Sequence, residues 1–268
     1  MMKEGDTMYP YMFGIEGFET YYVLIIIGVF FSLAAFRMVM KYYKVEVDVY
    51  EFYLKLILVS MVVGFIFAFL FQQLYNLIDA LEKGREYQAQ GMTLMGGVVG
   101  GITVWLIGSK FFAPEKAKAK FFHVTNVAIF SVMIGQTFGR IGCVMAGCCF
   151  GIDTDEWYGM TFHTHDHAVV PTQLFEAIFV GLLVLVGIYL IRKMKINYMV
   201  FLYFIAYPIF RFFIEYFRGD ERGTFLPLFS PSQWQSVGMF AVATLLLVRY
   251  IKNPFDTRFK GFDLAENN

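Results

Sequence analysis

Arg140 is the first residue in this chain whose type and position promise chemistry. It lies near the end of a long apolar run, and Cys143, Cys148 and Cys149, the only three cysteines, follow within nine residues of it. A guanidinium stays charged at any protein pH. At membrane depth that charge costs several kcal/mol, on the order of 3 or more, so it needs an anion. A second group of charges stands at Arg211, Glu215 and Arg218. Residues 211 and 215 are four apart and share one helix face. Two readings of these arginines stand side by side. In one, their paired N–H groups hold a lipid phosphate. In the other, they form ion pairs, Arg211 with Glu215 and Arg140 with Glu176.

The thiols fit a nucleophile, a metal ligand or a small packing residue. A zinc site favours a C-x₂-C spacing with histidine partners, whereas Cys148 and Cys149 are adjacent and stand five and six residues from Cys143. Vicinal disulfides are strained. His163, His165 and His167 alternate, which in an extended segment points all three the same way. The expectation is a solvated polar loop above small packing cysteines, with no metal and no other cofactor. Gly96, Gly97, Gly100 and Gly101 open another apolar run. Glycines there either admit an anion to a helix start or let two helices approach closely. On the residues alone, packing is the stronger reading.

These groups are positioned by apolar segments. The chain has 268 residues, of which 58% are hydrophobic and 16% charged. A soluble domain carries about 45–50% apolar residues. Seven runs are long enough to cross ~30 Å of hydrocarbon at ~20 residues each. They are 21–40, 54–74, 94–112, 124–146, 172–191, 198–217 and 233–251. The expected fold is therefore a single all-α transmembrane domain over 1–268 with seven spanning helices. Its outer loops fall near 77–91, 152–171 and 218–232. Of the 22 Lys and Arg residues, fifteen flank alternate ends of the spans on one side, five lie on the other, and Arg140 and Arg211 lie within spans. Positive charge marks the cytoplasmic side, so the N-terminus is expected outside and the C-terminus inside. The segment 152–171 has no Lys or Arg, and it carries Asp153, Asp155, Glu156 and Asp166 with its histidines. The net charge is zero, which leaves no electrostatic case for nucleic acid.

In this order, the motifs resemble those of the bacterial prolipoprotein diacylglyceryl transferase family. Tyr21-Tyr22 resembles a Trp-Tyr pair, and Met95-Gly96-Gly97-Val98-Val99-Gly100 resembles His-Gly-Gly-Leu-Ile-Gly. The stretch from Gly139-Arg140-Ile141-Gly142 to Gly151 is similar to the family signature. Pro171-Thr172-Gln173-Leu174-Phe175-Glu176 resembles the Pro-Ser-Gln-Leu-Tyr-Glu segment, and Tyr207, Arg211, Glu215 and Arg218 match a Tyr-x₃-Arg-x₃-Glu-x₂-Arg pattern. Ser232-Gln233 resembles Gly-Gln near the last span. The resemblance implies a transferase of the bacterial cytoplasmic membrane. Such an enzyme moves the diacylglyceryl group of phosphatidylglycerol to the lipobox cysteine of a prolipoprotein at the outer leaflet and releases glycerol phosphate.

By the same resemblance Arg140 would hold the headgroup and Arg211 the departing phosphate. Tyr22 and Tyr207 would position the substrate. Gly96, Gly97, Gly139, Gly151, Glu176, Glu215, Arg218, Cys143 and Cys148 would line the binding site. The chain also departs from the pattern. Met95 stands where the family has a histidine and cannot move a proton. Cys143 and Ala146 replace asparagines, Cys148 replaces a glutamate, and Val170 replaces a second histidine. A thiol acceptor with a pKa of ~8.5 is already partly ionised near neutral pH and needs little help from a base. The alternatives are a different acceptor for the same donor, or a lipid-binding module without turnover.

Overall fold

The computed structural model describes residues 19–84, 86–89, 91–219 and 229–252. Residues 1–18, 85, 90, 220–228 and 253–268 lie outside the described set, and with them parts of the outer loops expected near 77–91 and 218–232. Eight α-helices follow in order: α1 (Thr20–Tyr42), α2 (Val47–Lys83), α3 (Leu94–Ile107), α4 (Glu115–Ala119), α5 (Phe121–Met145), α6 (Thr172–Arg192), α7 (Met199–Ile214) and α8 (Pro231–Lys252). A π-helical turn, Gly108–Phe112, extends α3, and 3₁₀ turns at Ile196–Tyr198 and Glu215–Phe217 flank α7. Seven of these segments are long and apolar enough to cross a membrane. Between α5 and α6, β1 (Met160–Thr161) and β2 (Ala168–Val169) form a short antiparallel hairpin.

The spans match the apolar runs, with α2 the main extension. It has 37 residues, about 55 Å at ~1.5 Å per residue. No proline or glycine interrupts it after Gly64 until Gly84, which adopts a left-handed φ of 60° and donates its N–H to the Ala80 carbonyl. That conformation suits glycine at a helix end.

Contacts gather the described elements into two compact units. The unit of Tyr42–Val124 contains α2, α3 and α4. Here α3 lies against α2 through glycines: a Cβ on Gly96 would stand 2.4 Å from the Phe67 carbonyl oxygen, and one on Gly100 2.7 Å from the Phe67 Cβ. Small residues of this kind let two backbones approach without a hydrophobic driving force between them. Tyr53, fully buried, donates its hydroxyl to the Ala117 carbonyl at 2.9 Å. Lys120 pairs with Glu46 and holds that carboxyl below its ordinary range.

The other unit contains α1 and the chain from Thr125 onward. Gly28 of α1 lets that helix meet α5, because a Cβ there would fall 2.7 Å from the Phe138 Cβ. The buried Asn126 carboxamide accepts the Val200 N–H at 2.8 Å. This satisfies a backbone donor in the first turn of α7 that the helix itself leaves open. Phe179 of α6 stacks on Phe210 of α7 at 4.3 Å.

Candidate active site

One face of α7 carries Tyr203, Tyr207, Arg211 and Glu215 at four-residue intervals. Tyr203 and Tyr207 stack at 5.1 Å. Their hydroxyls lead into a buried network with α5 and α6. Tyr207 donates to Glu176 Oε1 at 2.7 Å, and Tyr203 donates to Gln136 Oε1 at 2.6 Å. The Gln136 amide then donates to Glu176 Oε1 at 3.3 Å. Arg140, one turn beyond Gln136 on α5, brings Nε to 2.8 Å from the same oxygen. Two hydrogen-bond donors and one guanidinium charge thus converge on the Glu176 carboxylate, whose side chain is 1% exposed. A buried charge is tolerated when paired and hydrogen-bonded in this way.

Further along α7, Arg211 Nη2 stands 2.7 Å from Glu215 Oε2 and donates to the Ser232 hydroxyl at 3.2 Å. The Glu215 contact is an ion pair without hydrogen-bond alignment. Ser230 donates its hydroxyl to Glu215 Oε1 at 2.9 Å. The same Ser230 caps α8. Its Oγ accepts the Gln233 N–H at 3.3 Å, its own N–H is accepted by Gln233 Oε1 at 3.0 Å, and Pro231 fills the first helical position. The sequence Ser-Pro-Ser-Gln is therefore a capping box, and it fixes the carboxylate partner of Arg211. Arg211 is 7% exposed, and its Nη1 is buried with no hydrogen-bond partner among the described residues. Gln173, in the first turn of α6 and one turn before Glu176, is fully buried, and both of its carboxamide atoms lack partners among the described residues. Unsatisfied buried polar atoms are rare and point to a ligand or water.

The segment after α5 is held to the end of α7. A Cβ on Gly151 would fall 2.1 Å from the Phe217 carbonyl oxygen, so only glycine fits. Gly151 donates its N–H to Val170 at 2.7 Å, Ile152 donates to Phe217 at 2.9 Å, and Gly151 bridges to Arg218. This strand-like brace sets Arg218 beside the cysteine turn. At the end of α5, Gly147 adopts φ 59°, its N–H reaches the Val144 carbonyl at 3.2 Å, and Cys148 N–H reaches the Cys143 carbonyl at 3.1 Å. These two bonds define a Schellman motif. The three thiol sulfurs then lie within 4.8 Å of one another. Hydrogen bonding from Cys143 and Cys148 holds the Cys149 thiol well below its ordinary range, with Arg218 and Arg140 adding to the effect. The same bonds push Cys148 up.

Arg140, Glu176, Tyr207, Arg211, Glu215, Arg218, Gly151 and the cysteines all belong to this one unit. The ion pairs weighed from sequence, Arg140 with Glu176 and Arg211 with Glu215, both form. A phosphate at these guanidiniums therefore shares them with carboxylates. Tyr22 is 59% exposed, whereas Tyr21 abuts Gly142 and lies within electrostatic reach of all three cysteines. A Cβ on Gly139 would meet only Ile25, at an ordinary 3.7 Å. Gly96 and Gly97 fall in the other unit, where the contact with α2 accounts for Gly96. No role for Gln136, Tyr203 or Ser230 follows from the sequence motifs, and Gln173 enters only as part of one of them. Two four-residue steps back from Arg211, through Tyr207, signal Tyr203, and one such step back from Arg140 signals Gln136.

A seven-span α-helical membrane protein with two guanidinium–carboxylate pairs largely shielded from solvent, one leaving an arginine nitrogen without a partner among the described residues, is the class that fold and site define. The model of the prolipoprotein diacylglyceryl transferase family matches residues 10–249. The chain belongs to that family. It is 33% identical over 169 residues to the phosphatidylglycerol–prolipoprotein diacylglyceryl transferase of Clostridium tetani, covering 60% of this chain and 65% of the relative. A relative from Clostridium perfringens, named as transferase 2 of that kind, is 32% identical over 165 residues, covering 58% and 61%. One from Treponema denticola is 30% identical over 172 residues, covering 52% and 49%. Each alignment thus spans less than two thirds of the relative's own length.

Proposed function

We propose that this protein transfers the diacylglyceryl group of phosphatidylglycerol to a thiol, the lipobox cysteine of a prolipoprotein, at the outer leaflet of the bacterial cytoplasmic membrane. In the reaction the thiolate sulfur forms a bond to a glycerol carbon, and the carbon–oxygen bond to phosphate breaks with its electron pair going to oxygen. The acceptor's thiol proton is lost to solvent. The donor is a phosphodiester with one negative charge, and the glycerol phosphate that leaves gains a second. The catalytic need is therefore a preorganised cation at the leaving oxygen.

The observation that carries this reading is Arg211 Nη1, buried and without a partner among the described residues. Arg211 is already oriented by Glu215 and Ser232, so no rearrangement is needed as charge develops. Arg140, held by Glu176, is assigned to the headgroup phosphate, and Tyr207 reinforces Glu176 from the other side. Gln173 offers one donor and one acceptor to the glycerol hydroxyls of the headgroup. Tyr22, Gly96, Gly97, Gly139, Cys143 and Cys148 stay in the proposal as family-matched positions.

Replacing Arg211 tests it. R211A should lower glycerol phosphate release from phosphatidylglycerol vesicles by ~10²–10³-fold, the usual cost of losing one donor to a developing charge. R211K keeps the charge but loses the planar fork and should recover only part of the rate. Wild-type turnover in R211A, with folding intact by thermal melt, contradicts the assignment. A second reading keeps the donor and changes the acceptor. Met95 favours it, because the family resemblance implies a histidine at that position and methionine has no proton to move.

A further inference from the structure

We infer that Cys143, Cys148 and Cys149 form a three-thiolate site for one soft, closed-shell metal ion such as Zn²⁺. The inference stands on the geometry of the cysteine turn and goes beyond the transferase reading. The three sulfurs lie within 4.8 Å of one another. Tetrahedral Zn–S bonds of ~2.3 Å separate sulfurs by ~3.8 Å, so closing on an ion takes about 1 Å or less of movement. All three thiols are free of disulfides.

The backbone holds this arrangement without help from an ion. Cys143 lies in the last turn of α5, and the Schellman bonds fold Cys148 back over it. Cys149 then adopts φ 64°. The left-handed conformation is disfavoured for a non-glycine residue. Such strain persists where surrounding structure imposes it, and it clusters at functional sites. Here the Cys149 carbonyl accepts the Thr172 hydroxyl at 2.9 Å, and Gly151 is locked against Phe217 two residues on. The hydrogen bond and the close approach together keep the turn closed, with its third sulfur within 4.8 Å of the other two.

The donor set selects the metal. Three sulfurs with no histidine or carboxylate within the cluster favour thiophilic ions over magnesium or calcium. Binding deprotonates the thiols and releases their protons to solvent. A divalent ion with three thiolates carries one net negative charge. Arg140 and Arg218 both lie within electrostatic reach of Cys149 and offset it. The sequence spacing argues against a metal because residues 148 and 149 are adjacent; the left-handed conformations of Gly147 and Cys149 nevertheless bring both sulfurs together with that of Cys143.

The test uses the purified full chain, reduced in detergent until three thiols titrate per molecule. One equivalent of Cd²⁺ should produce a sulfur-to-cadmium charge-transfer band in the ultraviolet that saturates at one ion per chain, and Cd²⁺ should displace Zn²⁺ bound beforehand, because thiolates favour the softer ion. C143S, C148S and C149S should each weaken binding by more than the ~10–100-fold that loss of a supporting contact costs. Zn²⁺ should also protect all three cysteines of the wild-type chain from maleimide, read by peptide mass spectrometry. Three free thiols with no cadmium band, equal affinity in the serine variants, or unprotected labelling in Zn²⁺ each overturns the inference. The maleimide arm uses unaltered protein, so a variant that misfolds does not decide the result.

Discussion

Glu176 and Gln173 sit one helical turn apart in α6 and are both buried, yet their surroundings differ. Glu176 receives Tyr207, Gln136 and Arg140, while the Gln173 carboxamide has no partner among the described residues. Leaving a buried amide unsatisfied costs ~1–3 kcal/mol, so its retention calls for a ligand. Q173L separates ligand binding from packing. If Gln173 meets the lipid headgroup, Q173L raises the KM for phosphatidylglycerol by about five- to tenfold, the worth of one or two hydrogen bonds, with the thermal midpoint unchanged or higher. An unchanged KM with lower stability assigns Gln173 to packing alone. Little of this contrast was legible beforehand. The sequence marks Arg140, Arg211 and Glu215, because charges inside apolar runs stand out. A glutamine in the first turn of a span looks like an interfacial residue until the fold buries it.

At the scale of elements, helix ends place the chemistry. The capping box at the start of α8 holds Glu215, which holds Arg211. The Schellman turn at the end of α5 gathers the thiols. Both devices were present in the sequence as Ser-Pro-Ser-Gln and as a glycine after the last apolar turn, but what each cap touches depends on the long-range approach of other elements. The glycines of α3 show the opposite outcome, since the packing reading accounts for Gly96. G96A introduces a Cβ 2.4 Å from the Phe67 carbonyl oxygen. It should lower the thermal midpoint by the equivalent of ~1–3 kcal/mol, as overpacking does. A raised KM for phosphatidylglycerol at unchanged stability would instead favour an anion role for this helix start.

On the scale of the whole molecule, hydropathy gave the seven spans to within a few residues at most ends, because spans must satisfy their backbones internally and turn apolar surface to lipid. The length of α2 and the hairpin between α5 and α6 were not legible. Neither one changes the mean hydropathy of a span. Orientation is read from charge alone, with Lys and Arg concentrated at alternate ends. Cysteines introduced at Lys118 and Asp155, in a background whose native thiols are blocked, should react with impermeant maleimide from opposite sides of the membrane, Asp155 from outside. Reaction of both from one side contradicts the seven-span arrangement. That the protein moves a diacylglyceryl group from phosphatidylglycerol to a lipobox thiol is tested most directly by mass spectrometry. A lipobox peptide is incubated with the purified protein and phosphatidylglycerol vesicles. The peptide cysteine should gain one diacylglyceryl group, with one glycerol phosphate released per peptide modified. A peptide left at its original mass, with folded protein and no glycerol phosphate formed, contradicts it.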